Sequence, residues 1–176
     1  MKQKYSSKKT AINGKQGKLP KAFKMTTIPK GSLVLDYGGG DSDAWRIAQE
    51  YLNQFDATEA IYDPFNQTAW HNECVAQACK DWGGADVTIC ANVLNVIMEK
   101  EIRNEVLQNI KKFTKVGGII TFYIHEGDKS GIGKPTQNNE SWQNNMRASE
   151  YMDEIKAVFP NAVRHGQMIA ITKKEA

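Results

Sequence analysis

Three carboxylates and a run of glycines are the residues whose types and spacing point to chemistry. Asp36-Tyr37-Gly38-Gly39-Gly40-Asp41 closes a short apolar run and stands directly ahead of a helix-like segment; Asp63 follows 23 residues after Gly40. Glycine at the end of a buried strand permits backbone angles closed to other residues. It also lets a ligand approach the main chain without meeting a Cβ. The helix behind it offers free N–H groups and the positive end of its dipole. An acid at the end of the next strand, about 20 residues on, is what a nucleoside needs for its two ribose hydroxyls. Three glycines alone make only a tight turn; the paired spacing with Asp63 is far more specific. It points to a bed for a nucleoside-bearing cofactor.

The acids narrow the cofactor. Position 43 is Asp43, where a dinucleotide fold wants glycine or alanine to bring helix and strand together around a pyrophosphate. Asp41 and Asp43 together repel a pyrophosphate and tolerate an ammonium or a sulfonium. That argues against NAD and for S-adenosylmethionine. Both acids also read as plain helix caps, and Asp41 suits both roles.

Strands and helices must hold these residues in place. Leu33-Val34-Leu35 is wholly apolar, as expected of a strand buried on both faces of a parallel sheet. Asp41 or Ser42 caps a helix to about Asn53, with Trp45, Ala48, Tyr51 and Leu52 inward. Ala60 to Asp63 is a second strand, stopped by Pro64. Thr68 to Lys80 reads as a helix with Trp70, Val75 and Ala78 inward, broken at Trp82-Gly83-Gly84. Asp86 to Ala91 is a third strand. Glu99 to Phe113 is amphipathic, with Ile102, Val106, Ile110 and Phe113 recurring every three or four residues. Val116-Gly117-Gly118 is read as a turn into a strand from Ile119 to Ile124. Glu126 to Asn145 is read as a long polar loop of the kind that carries function or lacks order. Arg147 to Phe159 is a last helix, and Ala162 to Thr172 a terminal hairpin. The pattern is α/β, one domain with helices on both faces of the sheet.

At this point the sequence resembles a known family. "VLDYGGG" resembles motif I of the class I, Rossmann-like methyltransferases, and "IYDP" the acidic end of their second strand. "ADVTICANVLNVI" is similar to their motif IV strand, and "KKFTKVGGIITFYI" to the helix end, turn and strand that follow. The likeness covers about residues 30–125 and is close to short methyltransferase-like proteins of phages and bacterial modification loci. It implies a Rossmann-like three-layer α/β/α domain, mostly parallel, with a C-terminal antiparallel hairpin. It implies S-adenosyl-L-methionine as cofactor. Asp36, Gly38 and Gly40 would contact its methionine part, with Tyr37, Gly39 and Asp41 in the same bed. Asp63, followed by Pro64, would hold the ribose. Asn92, flanked by Ala91 and Val93, would lie beside the sulfonium and the transferred methyl.

Two departures from the family carry expectations. Only 22 residues separate Asp63 from Asp86, room for one helix and a turn, so the usual third, edge strand is expected to be missing. Its adenine-reading acid goes with it; Asp81-Trp82 is one substitute, a structural tryptophan the other reading. "CANV" also differs from the Pro-Pro motif of amino-methylating DNA enzymes, and no Pro-Cys nucleophile appears. Cys90 reads as core. Methyl transfer from a sulfonium needs in-line placement more than a base, so the assigned catalytic positions are Asn92 and, at a strand end, His125. Glu126, Trp142 and Asn145 in the polar segment are the acceptor-side candidates. Trp142 reads equally as a stacking platform and as a packed residue at a helix start. "GIGK" lacks the features of a P-loop.

Composition bounds the rest. Residues 1–30 hold nine lysines and no acid, leaving fourteen basic residues against all 20 acidic ones in the remainder. A basic arm over residues 1–28, ahead of a domain over 29–176, suits contact with DNA or RNA phosphates; it suits a solvated tail equally. Small-molecule and protein acceptors stay open, and the sequence sets no oligomeric state. No run suits a membrane span, and no apolar stretch follows the basic start as a secretory signal would require. Three cysteines without CxxC spacing suggest free thiols, a reducing cytoplasm (bacterial, or that of a phage-infected host) and no metal site. The rival functions are a non-catalytic binder of the same fold, acting as inhibitor or assembly factor, and an NAD- or nucleotide-binding enzyme.

Overall fold

The computed structural model describes residues 3–8, 10 and 17–175. Lys2, Lys9, Lys15, Asn13 and Gly14, which entered the reading of the basic arm, lie outside the described residues. Strands β1 (Leu33–Tyr37), β2 (Thr58–Tyr62), β3 (Ala85–Ala91) and β4 (Thr114–Tyr123) are joined by helices α2 (Ser42–Leu52), α3 (Ala69–Asp81) and α4 (Lys100–Phe113). A short helix, α1 (Lys21–Met25), precedes them. After β4 come a small hairpin, β5 (Lys134–Thr136) and β6 (Ser141–Gln143), helix α5 (Met152–Val158), and strands β7 (Val163–His165) and β8 (Met168–Thr172). The main sheet runs β2-β1-β3-β4-β8-β7. Its first four strands are parallel, β8 is antiparallel to β4, and β7 is antiparallel to β8.

Alternation along the strands divides the core in two. Leu33, Leu35 and Tyr37 of β1 meet Val75 and Cys79 of α3, Leu107 and Ile110 of α4, and Ile155 of α5. Val34 turns to the other face, with Val87 and Ile89, under Ala48 and Leu52 of α2 and Ala22 and Phe23 of α1. Phe23 is fully buried; that burial, ~1.5–3 kcal/mol, holds in place a five-residue helix too short to persist alone. Residues 21–28, counted with the basic arm on composition, therefore pack as part of the domain.

β2 is the sheet edge among the described residues, and no strand stands outside it. In a parallel ladder, alternate residues face alternate neighbours. Thr58 and Tyr62 bond toward β1, so residues 57, 59, 61 and 63 turn their backbone outward. Side chains take the place of the missing strand. The Gln49 amide donates to Ala57 O at 2.9 Å and accepts from Glu59 N at 2.8 Å. His71 Nε2 lies 2.9 Å from Ile61 O. The Asn72 amide accepts from Asp63 N at 2.9 Å and donates to Asp63 O at 3.0 Å. An edge dressed in this way is closed to strand pairing.

Several expectations are corrected. Trp45 and Trp70 are exposed, at 45 % and 74 %, and Ala78 is exposed too; α3 instead buries Asn72, Val75 and Cys79. Asn72 is inward because it caps the strand edge, which apolar periodicity cannot reveal. Val116–Gly118 is an irregularity within β4: Ala85 pairs with Thr114, yet Val87 pairs with Ile119. Gly117, at φ +79°, permits it. The long polar loop contains the β5–β6 hairpin. Its turn places Gln137, Asn138 and Asn139 at φ +53°, +56° and +67°, left-handed angles that asparagine tolerates better than most residues. The last helix begins as a 3-10 turn over Ala148–Tyr151 before α5.

Candidate active site

The C-terminal ends of β1, β2 and β3 open into one cavity of about 760 Å³, within the range that takes a nucleoside-sized ligand. The glycine bed forms its floor. Gly38 has φ +80°, and a Cβ there would lie 2.4 Å from Val93 Cγ2. A Cβ on Gly39 would lie 2.6 Å from the Asp36 carboxyl. Gly40 does not line the cavity; its N–H donates to Asp63 Oδ2 at 2.9 Å. Asp41 caps α2, accepting from Asp43 N at 3.2 Å and Ala44 N at 3.4 Å, and also faces the cavity.

Asp36 and Asp63 are both 4 % exposed and both line the cavity. Burial, and then the neighbouring Asp63, push the Asp36 carboxyl up to about 7. Glu59, on the same face of β2, is 5 % exposed, and neither of its oxygens has a partner among the described residues. Burial, and then Asp36, push it up to about 10, which favours its neutral form. Asp63 accepts four bonds: Phe65 N at 2.8 Å and Asn66 N at 2.9 Å on Oδ1, and Gly40 N at 2.9 Å and Asn66 Nδ2 at 3.0 Å on Oδ2. Those fill the roughly four acceptor positions of a carboxylate. Three of the donors are backbone; only the Asn66 side chain can swing away.

Tyr37, Pro64, Ala91, Asn92 and Val93 all line the cavity. Asn92 is held at φ +60°, and its Oδ1 is buried without a partner among the described residues. His125 is exposed at the rim. Trp142 lines the wall while Tyr5 stacks on its ring, centroids 5.1 Å apart. The other two acceptor-side candidates are placed elsewhere. Glu126 accepts from Ala148 N at 2.9 Å and pairs with Lys129 at 3.3 Å. Asn145 donates to Ile132 O at 2.9 Å. Both tie the polar segment to itself. Asp81-Trp82 lies just before β3, at the opposite end of the sheet, where Trp82 Nε1 donates to Asp86 at 2.8 Å, and neither residue lines the cavity. Cys90 is 1 % exposed, and burial followed by Asp36 pushes its thiol well up, which removes it as a nucleophile.

No family model matches the sequence, and no curated protein matches it. Solved structures do match the fold. A Burkholderia thailandensis 1,6-didemethyltoxoflavin-N1-methyltransferase, with bound 1,6-didemethyltoxoflavin and S-adenosylhomocysteine, aligns over 98 % of this chain and 80 % of its own, at 13 % identity and a TM-score of 0.57. A TehB-like SAM-dependent methyltransferase from Corynebacterium glutamicum aligns over 86 % and 85 %, at 14 % identity and 0.50. The chain has the class I methyltransferase fold.

Within that methyltransferase fold, sequence reasoning missed part of the wall. Gln3, Ser7 and Thr10 of the arm face the cavity. The arm is pinned across it by Lys4 N to Glu99 Oε1 at 2.9 Å and Ser6 N to Glu140 O at 3.0 Å. Asn95 and Gln143 also line it. Asn95 stands in the quoted "ADVTICANVLNVI" and Gln143 in the polar segment beside Trp142, but only the fold brings those stretches together. Asn144 joins them: its Nδ2 donates to Leu94 O at 3.1 Å, Ile97 O at 2.9 Å and the Tyr151 hydroxyl at 3.1 Å.

Proposed function

We propose that this chain is an S-adenosylmethionine-dependent methyltransferase whose cofactor occupies the cavity above Gly38 and Gly39. The observation that carries the proposal is the cavity itself, lined by Gly38, Gly39 and Asn92 and by the buried acids Asp36 and Asp63, with Asn92 Oδ1 unpartnered among the described residues. Bound S-adenosylmethionine supplies an electrophilic methyl on a sulfonium. The chain's own residues bind and orient. Asp36 and Asp41 present negative charge to an ammonium. Gly38 and Gly39 let the ligand rest on the backbone. Asn66 swings off Asp63 to free an acceptor for a ribose diol. Asn92 offers a fixed oxygen near the reacting end, and His125 is at hand to take a proton where an acceptor releases one.

Calorimetry with S-adenosylmethionine, S-adenosylhomocysteine and NAD tests this. Binding of the first two and not the third is expected; binding of NAD alone refutes it. A non-catalytic binder is the second reading, favoured by the arm pinned across the cavity and by the saturated Asp63. Cofactor binding without methyl transfer to any acceptor would select it. A nucleic-acid acceptor is a proposal resting on the lysines of the arm. Deleting residues 1–18, which spares α1, should flatten the salt dependence of DNA or RNA binding; an unchanged slope removes the idea.

A further inference from the structure

Asn95 belongs to the turn Leu94–Val96 that follows β3, is 1 % exposed, and lines the cavity. Its amide orientation is fixed through two bonds. The His125 carbonyl can only accept, and Gln143 Nε2 donates to it at 3.1 Å. Gln143 must therefore turn its oxygen to Asn95, whose Nδ2 donates to it at 3.0 Å. Flipping either amide would set oxygen against oxygen or leave two donors face to face. The relay leaves Asn95 Oδ1 as the free end, buried and without a donor among the described residues. Asn92 Oδ1, three residues back on the same wall, is in the same condition.

A buried acceptor without a donor costs roughly 1–3 kcal/mol, a cost that a ligand with a matching donor removes. The apolar side chains Val93, Val96 and Ile97 line the same cavity, as does Trp142, whose indole N–H is already given to Asn144 Oδ1 at 2.7 Å. We propose that this end of the cavity is the acceptor subsite and that Asn95, oriented by Gln143 and the His125 carbonyl, selects uncharged molecules presenting an N–H or O–H donor. This rests on the methyltransferase reading for the word acceptor, but not for the chemistry of the pocket. A site built to receive a donor rejects an analogue that lacks it far more strongly than an apolar pocket rejects a changed shape.

Aniline, phenol and toluene share one ring and differ in a donor of each kind or none. Their binding is measured by NMR titration with and without saturating S-adenosylhomocysteine, in the wild type and in Asn95→Leu. Comparing ratios between the two proteins cancels the different affinities of the probes for water. Aniline and phenol should each lose about tenfold relative to toluene on the substitution. Because Asn95→Leu also strands Gln143, a second readout uses the wild type alone: aniline or phenol should shift the Asn95 side-chain NH2 signals, and toluene should not. If only one of the two shifts them, the subsite takes that donor class. Equal ratios in both proteins overturn the proposal, and so does the absence of any shift at Asn95. If S-adenosylhomocysteine fails to bind while the donor preference persists, the proposed function falls and the donor-selective pocket stands.

Discussion

Glu59→Gln tests a buried acid whose oxygens have no partner among the described residues. Glu59 is buried on β2 with neither oxygen partnered among the described residues. Burial first, and Asp36 second, raise it from its ordinary 4.5 to about 10. The unfolded chain releases this proton near the ordinary value; the folded chain keeps it. Between those limits the unfolded state binds fewer protons, so stability falls as pH rises. One such group contributes ~1.4 kcal/mol per pH unit, or about 4 kcal/mol between pH 5 and pH 8. Asp36, raised from 3.8 to about 7, adds a fall of the same sign that ends near 7. Glutamine has the shape of the neutral acid and does not titrate. The substituted protein should match the wild type near pH 5 and exceed it by several kcal/mol at pH 8. Urea unfolding followed by tryptophan fluorescence across this range reads both curves. Parallel curves, or a glutamine variant weaker at pH 8, would show that Glu59 is ionised and stabilised by something the geometry does not contain.

Four further outcomes follow from the same structure. S-Adenosylhomocysteine affinity should fall as pH drops below about 7, because an ammonium needs the ionised Asp36, and Asp36→Asn should bind weakly at every pH; calorimetry over pH reads this. Gly39→Ala sets a methyl 2.6 Å from the Asp36 carboxyl and should cost at least about tenfold in that affinity while leaving far-UV circular dichroism unchanged. Arg103 donates to both oxygens of Glu154, at 2.9 and 2.7 Å, and to Ile97 O and Met98 O; Arg103→Ala strands a largely buried acid and should lower unfolding stability by about 3–5 kcal/mol. Asn72→Ala uncovers the Asp63 backbone at the sheet edge, and sedimentation should show concentration-dependent self-association absent from the wild type.

Local signals made the architecture legible. The wholly apolar Leu33-Val34-Leu35 of β1, the amphipathic α4 and the glycine punctuation depend on neighbours in the chain, and the short interval from Asp63 to Asp86 excluded an edge strand by length alone. Tryptophan burial was not legible. Trp45 and Trp70 sit at helical positions that suit either face, and nothing local says that Gln49, His71 and Asn72 must use the inner positions to close a strand edge.

The sequence by itself determined the parallel α/β order, the glycine floor and which acids stand near it, because these follow from residue type and spacing along the chain. Only the tertiary structure decided that Asp63 is saturated by Gly40 and its own loop, that Glu59 is buried without a partner among the described residues, that Tyr5 lies on Trp142, and that Asn95 is turned by Gln143 and His125. Each of these depends on which groups are left without water and which partner a distant segment brings within reach, and a hydrogen bond between residues 95 and 143 leaves no periodic trace in either stretch.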